Sequence, residues 1–136
     1  IYDMLQLAQR SMTRRAAGRL AACGITPGEY NILRVLRGRE KITPANLSET
    51  LGYTSSMVSN YLRQLQEKGV VSRRPLRKDR RQRRVDLTIR GSCLGSEAAA
   101  AVREAADEAL RGIPAGDLEV LFQCLSCLCS RNQAPT

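Results

Sequence analysis

Histidine and tryptophan are absent from this chain of 136 residues, and phenylalanine occurs once. The missing histidine removes the commonest general base and the commonest metal ligand. No glycine-rich phosphate loop, Gly-x-Ser-x-Gly elbow or spaced set of carboxylates and histidine takes its place, so no catalytic residues are expected and the chain does not read as an enzyme. A long hydrophobic run is also missing. The most apolar stretch, Leu118 to Cys129, spans 12 residues and contains Glu119, whereas crossing a bilayer takes about 20 apolar residues. The chain opens at Ile1 without the basic, apolar and small-residue progression of a signal peptide, so we expect a trimmed start, no membrane partner and a cytoplasmic location. Five cysteines are an odd number in a chain rich in other core residues, which favours reduced thiols over a disulfide framework. A zinc site built on Cys124, Cys127 and Cys129 would still need Cys23, Cys93 or a second subunit as fourth ligand, so neither metal nor cofactor is expected.

What the chain does have is apolar content and positive charge. Its 43% hydrophobic residues suffice for one compact domain, and 22 Lys and Arg against 13 Asp and Glu give a net charge of +9. That balance favours an anionic partner, either nucleic acid or an acidic membrane surface.

Apolar or small residues at Leu5, Ala8, Met12, Ala16, Leu20 and Cys23 recur every three or four positions, which predicts an amphipathic helix ending at Gly24. Thr26, Pro27, Gly28 and Glu29 form a capping-box start for a second helix, with Ile32, Leu33 and Leu36 as its buried stripe. Thr43 and Pro44 repeat the signal for a short helix that Gly52 breaks, and Thr54 caps another almost at once. Two helices joined by so short a turn outline a helix-turn-helix, although an ordinary helical hairpin has the same outline. Beyond Gly69, Val70 to Arg73 and Arg84 to Leu87 read as two short strands around a charged loop. Thr88 then opens an alanine-rich helix to about Arg111, and Pro114 opens a last one through Leu118, Leu121, Phe122, Leu125 and Leu128.

On the helix from Thr54 to Lys68, steps of about 100° place Val58, Tyr61, Leu62 and Leu65 on one side. Ser56, Ser59, Asn60 and Arg63 fall on the other. Short polar side chains near the N-terminal end, with Thr54 and Ser55, let such a helix sink into a major groove and offer donors and acceptors to base edges. A merely solvated face would carry Glu and Lys pairs, and only Glu67 and Lys68 fit that description. Between Arg73 and Arg84 stand eight basic residues (Arg73, Arg74, Arg77, Lys78, Arg80, Arg81, Arg83, Arg84) against the single acid Asp79, leaving 14 basic and 12 acidic residues elsewhere. The field is thus concentrated on one hairpin, whose arginines can enter a minor groove and neutralise phosphates. One or two lysines would be enough merely to blunt an exposed strand edge.

The run Leu47 to Val71 with its Glu-Lys-Gly-Val-Val end, the Asp79-Arg80-Arg81 wing and the Leu87-Thr88-Ile89-Arg90-Gly91 lead-in to the next helix together resemble the MarR family of bacterial transcription regulators. The resemblance runs along essentially the whole chain. It implies a mainly α fold with a small β-hairpin wing (α+β), a winged helix-turn-helix carried on a helical dimerisation region. The expected division is an N-terminal dimerisation helix over 1–24, the DNA-binding region over 25–88, C-terminal dimerisation helices over 89–130 and a flexible tail over 131–136. Apolar stripes at both ends of the chain, with only a small domain to cover them, independently call for a second subunit.

By the same resemblance the protein is a homodimeric repressor on a pseudo-palindromic double-stranded DNA operator. Asp79 would brace the wing while Arg81 reaches the minor groove. Asn60 and Arg63 stand where many relatives carry an arginine and an acid, so the operator is expected to differ from the common one. A small acidic effector would bind between the dimer helices and the winged lobe, with Cys23 and Tyr30 as candidate lining, unless Tyr30 simply packs its helix. Cys124 and Cys127 are the candidate redox residues, set against a plainer role for the last helix's cysteines as small core hydrophobes. A winged helix used for protein or RNA contact is the rival function.

Overall fold

The computed structural model describes residues 1–76 and 79–131; side chains are described outside residues 75–82. Six helices and a hairpin follow in the order α1 (Tyr2–Ala22), α2 (Pro27–Gly38), α3 (Pro44–Leu51), α4 (Ser55–Glu67), β1 (Val71–Leu76), β2 (Asp79–Leu87), α5 (Ile89–Leu110) and α6 (Ala115–Arg131). The fold is mainly α with a two-stranded antiparallel wing, as expected.

Local chemistry explains where the helices begin. The Thr26 hydroxyl accepts from the Glu29 amide while the Glu29 carboxylate accepts from the Thr26 amide, a reciprocal capping box. Thr43 and Asn46 repeat it at α3, Thr54 caps α4 through the Met57 amide at 3.2 Å, and Thr88 caps α5 through the Gly91 amide at 3.0 Å. Gly52 ends α3 in the left-handed conformation that turns the chain directly into α4.

The Leu-Thr-x-x-Gly segment has a tertiary reason as well. The Thr88 hydroxyl donates to the Gly69 carbonyl at 2.7 Å, and the Thr88 amide donates to the Val70 carbonyl at 3.1 Å. A Cβ at Gly91 would lie 2.0 Å from that same Val70 oxygen. Only glycine lets the start of α5 lie this close to the turn that follows α4.

The core sits where α2, α3 and α4 meet the wing and α5. Leu20, Ile32, Leu33, Leu47, Leu62 and Leu65 are fully buried there. The wing is longer than the sequence indicates: β1 runs on to Leu76, with a register shift after Pro75, which has no amide hydrogen for the ladder. Ile42 adds a third short piece, its carbonyl accepting from the Val85 amide at 2.7 Å.

The terminal helices behave differently from the core. Of the stripe expected on α1, only Leu20 is buried; Met12, Ala16 and Cys23 are half-buried, and Leu5 and Ala8 are exposed. No residue of α6 is buried, and Val120, Leu121, Phe122, Leu125 and Leu128 face outward. α1 instead packs along α5, where Arg19 bonds Glu104 at 2.6 Å and also reaches Glu108.

Candidate nucleic-acid interface

α4 separates into the two faces expected of it. Val58, Leu62 and Leu65 are buried, whereas Ser55, Ser56, Ser59, Asn60 and Arg63 are exposed, as is the cap residue Thr54. Arg63 donates to the Asn60 side-chain oxygen at 3.4 Å, so the two lie side by side on the outer surface. Tyr61 is half-buried. Its ring lies over Gly28, where a Cβ would meet the ring carbon Cζ at 2.3 Å, and it stacks at a tilt on Tyr53 with centroids 5.8 Å apart. The Tyr53 hydroxyl accepts from Asn31 at 2.9 Å, which fixes this aromatic pair to α2.

Lys68 departs from the sequence reading, which grouped it with Glu67 as a solvated charge. Its ammonium donates to the Gly24 carbonyl at 2.8 Å and to both Glu29 carboxylate oxygens at 2.9 and 2.7 Å. The Glu29 side chain is 1% exposed and that of Lys68 37%. The C-terminal end of α4 is therefore tied to the α1–α2 turn and to the capping box of α2. Two residues 39 positions apart meet here, a pairing that the local pattern of α4 does not signal.

On the wing, strand alternation divides the basic residues. Arg73 pairs in register with Val85 and so shares the inner face with Val71 and Val85, and its Nε is buried with no hydrogen-bond partner among the described residues. Arg74 pairs with Arg84 on the opposite face and is exposed, and Arg83 is exposed as well. The Arg84 guanidinium holds Asp86 at 2.8 and 2.9 Å, and the hydrogen bond and charge of Asp86 push its pKa further up. Arg77 and Lys78 lie outside the described residues, as do the side chains of Asp79, Arg80 and Arg81 and the tail from 132 to 136. The only acid–base pair described on the wing is Arg84–Asp86, which the sequence reading missed although an i, i+2 pair on one strand face was available to it.

Cys23 lines a cavity of about 380 Å³ together with Gly24, Lys68, Val70, Arg90, Cys93, Leu94 and Glu97. Tyr30 is not among its lining residues; it is half-buried and packs against the core cluster, as Cys23 does. Burial and the neighbouring Glu97 carboxylate, 3.9 Å from the sulfur, push the Cys23 thiol up from its ordinary pKa. Cys124, Cys127 and Cys129 are all exposed on α6. Among the described residues no three Cys, Asp or Glu side chains are grouped to hold a metal ion, and no single helix is long and apolar enough to cross a membrane.

This arrangement recurs in solved structures. A MarR transcriptional regulator from Methanosarcina mazei Go1 superposes with a TM-score of 0.90 at 20% identity, covering 98% of this chain and 96% of the other. A variant of MarR from E. coli complexed with operator DNA gives 0.83 at 23% identity, with 93% and 91% covered. The S. aureus MepR–DNA complex gives 0.83 at 21% identity, with 96% and 97% covered. Residues 24–82, from the turn before α2 into the second wing strand, match the family model described as MarR family. That matched region is similar to the MarR family, and the chain as a whole has the fold of the MarR structures.

Proposed function

We propose that the protein is a homodimeric repressor that reads a pseudo-palindromic operator with α4 and grips the backbone with its wing, and that a small-molecule effector releases it. The observation that carries this reading is the outer face of α4. Ser55, Ser56, Ser59, Asn60 and Arg63 are all exposed, short-chained toward the N-terminal end and free of acids. Such a surface can enter a major groove, with Asn and Arg offering bidentate contacts to base edges. Arg74, Arg77, Lys78, Arg80, Arg81 and Arg83 supply phosphate or minor-groove contacts beside it, with Asp79 as the brace, while Arg73 is better placed to pack the wing than to reach DNA. MarR and MepR are each found bound to DNA in their own structures, and this chain shares their fold.

A second subunit is the natural cover for the apolar residues exposed near both ends of the chain. Ile1, Tyr2, Met4, Leu5 and Leu7 at the start of the chain, and Val120, Leu121, Phe122, Leu125 and Leu128 on α6, are exposed to water, the kind of apolar surface that marks an interaction site. Cys124, Cys127 and Cys129 then serve as small hydrophobes in that contact. Two-fold symmetry sets the two α4 helices on half-sites about 10 base pairs, or a multiple, apart. The cavity at Cys23, with Arg90 and Glu97 in its wall beside the Lys68 held by Glu29, is the candidate effector site.

Footprinting on the protein's own promoter region tests the reading, followed by affinity against salt. One short imperfect palindrome is expected to be protected. Neutralising about six phosphates per dimer gives a log–log salt slope near −5. Arg81→Ala should weaken all duplexes alike, while Ser59→Ala and Asn60→Ala should change which sequence is preferred. Salt-independent binding, or operator binding retained equally by all three variants, would overturn the assignment in favour of a protein- or RNA-contact module.

A further inference from the structure

The polar face of α4 has one apolar residue at its edge. Among the described side chains from 25 to 88, Met57 is the one exposed large hydrophobic, 39% open to water. It stands third in the helix, and its amide donates to the Thr54 hydroxyl at 3.2 Å, so the cap that starts α4 also fixes where this residue sits. Steps of about 100° place Asn60 and Gln64, both exposed, within about 60° of it, one and two turns further on. Met57 is thus the apolar head of a polar edge along the face proposed to enter the groove. The core side of α4 is filled without it, by Val58, Leu62 and Leu65. Helical side chains lean back toward the N-terminal turn, and an unbranched thioether with three rotatable bonds follows an irregular apolar contour.

We propose that Met57 reads sequence by packing against the 5-methyl group of a thymine in each half-site, which fixes an A·T pair opposite the first turn of α4. The inference rests on the reading of α4 as the groove helix and deepens it. In the major groove thymine alone among the four bases presents a methyl group, and an apolar contact recognises it. The hydroxyls of Ser55, Ser56 and Ser59, the Asn60 amide and the Arg63 guanidinium offer hydrogen bonds only. Such groups see the same O4 acceptor on thymine and on uracil, so they do not register the methyl group. Met57 is the side chain on this face that can. Taking one methyl group out of water in a half-site is worth about fourfold in affinity, and about fifteenfold when a dimer meets both half-sites.

The test uses the full chain and the operator defined by footprinting. Duplexes are made with thymine replaced by uracil, one position at a time and symmetrically in the two half-sites. Fluorescence anisotropy then gives the affinity of the parent, Met57→Ala and Met57→Leu for each. Uracil at one position should weaken the parent about fifteenfold. Met57→Ala should bind the thymine duplex only as well as the parent binds the uracil one, with no further loss on uracil. Met57→Leu, still apolar and of similar length, should keep most of the preference. A parent indifferent to uracil at every position overturns the inference and leaves the operator reading standing. So does a Met57→Ala variant that keeps the parent's uracil penalty, whether at full affinity or with an equal loss on both duplexes, as a merely structural role would give. A parent with no preference for any sequence overturns the operator reading and this inference with it.

Discussion

Replacing Lys68 with methionine keeps the aliphatic stem and removes the one cation that the Glu29 carboxylate holds. The Glu29 side chain is 1% exposed, and without Lys68 it keeps only the Thr26 amide at 3.2 Å. Breaking a buried ion pair by deleting one partner costs about 3–5 kcal/mol, because the remaining charge is left uncompensated. Lys68 is 37% exposed, so water can reach the vacated side and the expected loss drops to about 2–3 kcal/mol. For a chain of this size about 1 kcal/mol moves Tm by roughly 3–4 °C, which gives a fall of about 6–12 °C. Glu29→Gln should cost about 1 kcal/mol, since its amide oxygen still accepts from Thr26 while Lys68 keeps the Gly24 carbonyl. In the double variant the buried charge is gone, so its loss should fall short of the sum of the two single losses by about 1 kcal/mol or more. Urea unfolding at a fixed protein concentration measures all four corners of this cycle, the fixed concentration removing any contribution from association. A Lys68→Met variant within about 0.5 kcal/mol of the parent, or strictly additive losses, would refute the idea that this pair anchors the end of α4.

Gly91→Ala sets a Cβ against the backbone oxygen of Val70, which no rotamer can relieve, so a loss of about 3 kcal/mol or more is expected in the same unfolding assay. Gly28→Ala meets the outer end of a tyrosine ring instead, which can swing aside; it should cost about 1–2 kcal/mol alone and little in a Tyr61→Ala background. Because folding raises the Cys23 pKa, its contribution to stability is present below the ordinary thiol value of about 8.5 and is lost as pH rises from there through the folded value. Comparing the parent with Cys23→Ser in melts from pH 7 to 10 reads this directly. The alkylation rate of Cys23 should likewise reach half-maximum at a higher pH than that of a free thiol in solution.

What was legible in the sequence is what a single element determines by itself. Thr26, Thr43, Thr54 and Thr88 are caps because the bond each makes spans three residues, and such spacing is visible in the chain. The inner and outer faces of α4 follow in the same way from the helical repeat. The period of two along a strand likewise separates Arg73 from Arg74. Other features depend on partners far along the chain. Glu29 reads as a capping residue, and nothing in that role announces that its second oxygen receives Lys68. The periodicity of α1 and α6 correctly marks amphipathic helices, yet one copy of the chain buries Leu20 alone from the first and nothing from the second, because an apolar stripe says that a surface wants cover without saying what covers it.

The side chains proposed to meet DNA, Ser55, Ser56, Ser59, Asn60 and Arg63, are exposed because of where they lie on one helix. The direction in which that helix points is set by Tyr61 against Gly28, Lys68 on Glu29 and Gly24, and Gly91 beneath Val70, each a contact between distant segments. Substitutions on the outer face should therefore change the preferred sequence while leaving stability nearly untouched. Substitutions at the supports should lower stability and affinity together, for every operator alike. A support variant that altered sequence preference without loss of stability would mean that aim and readout are not separable in this helix.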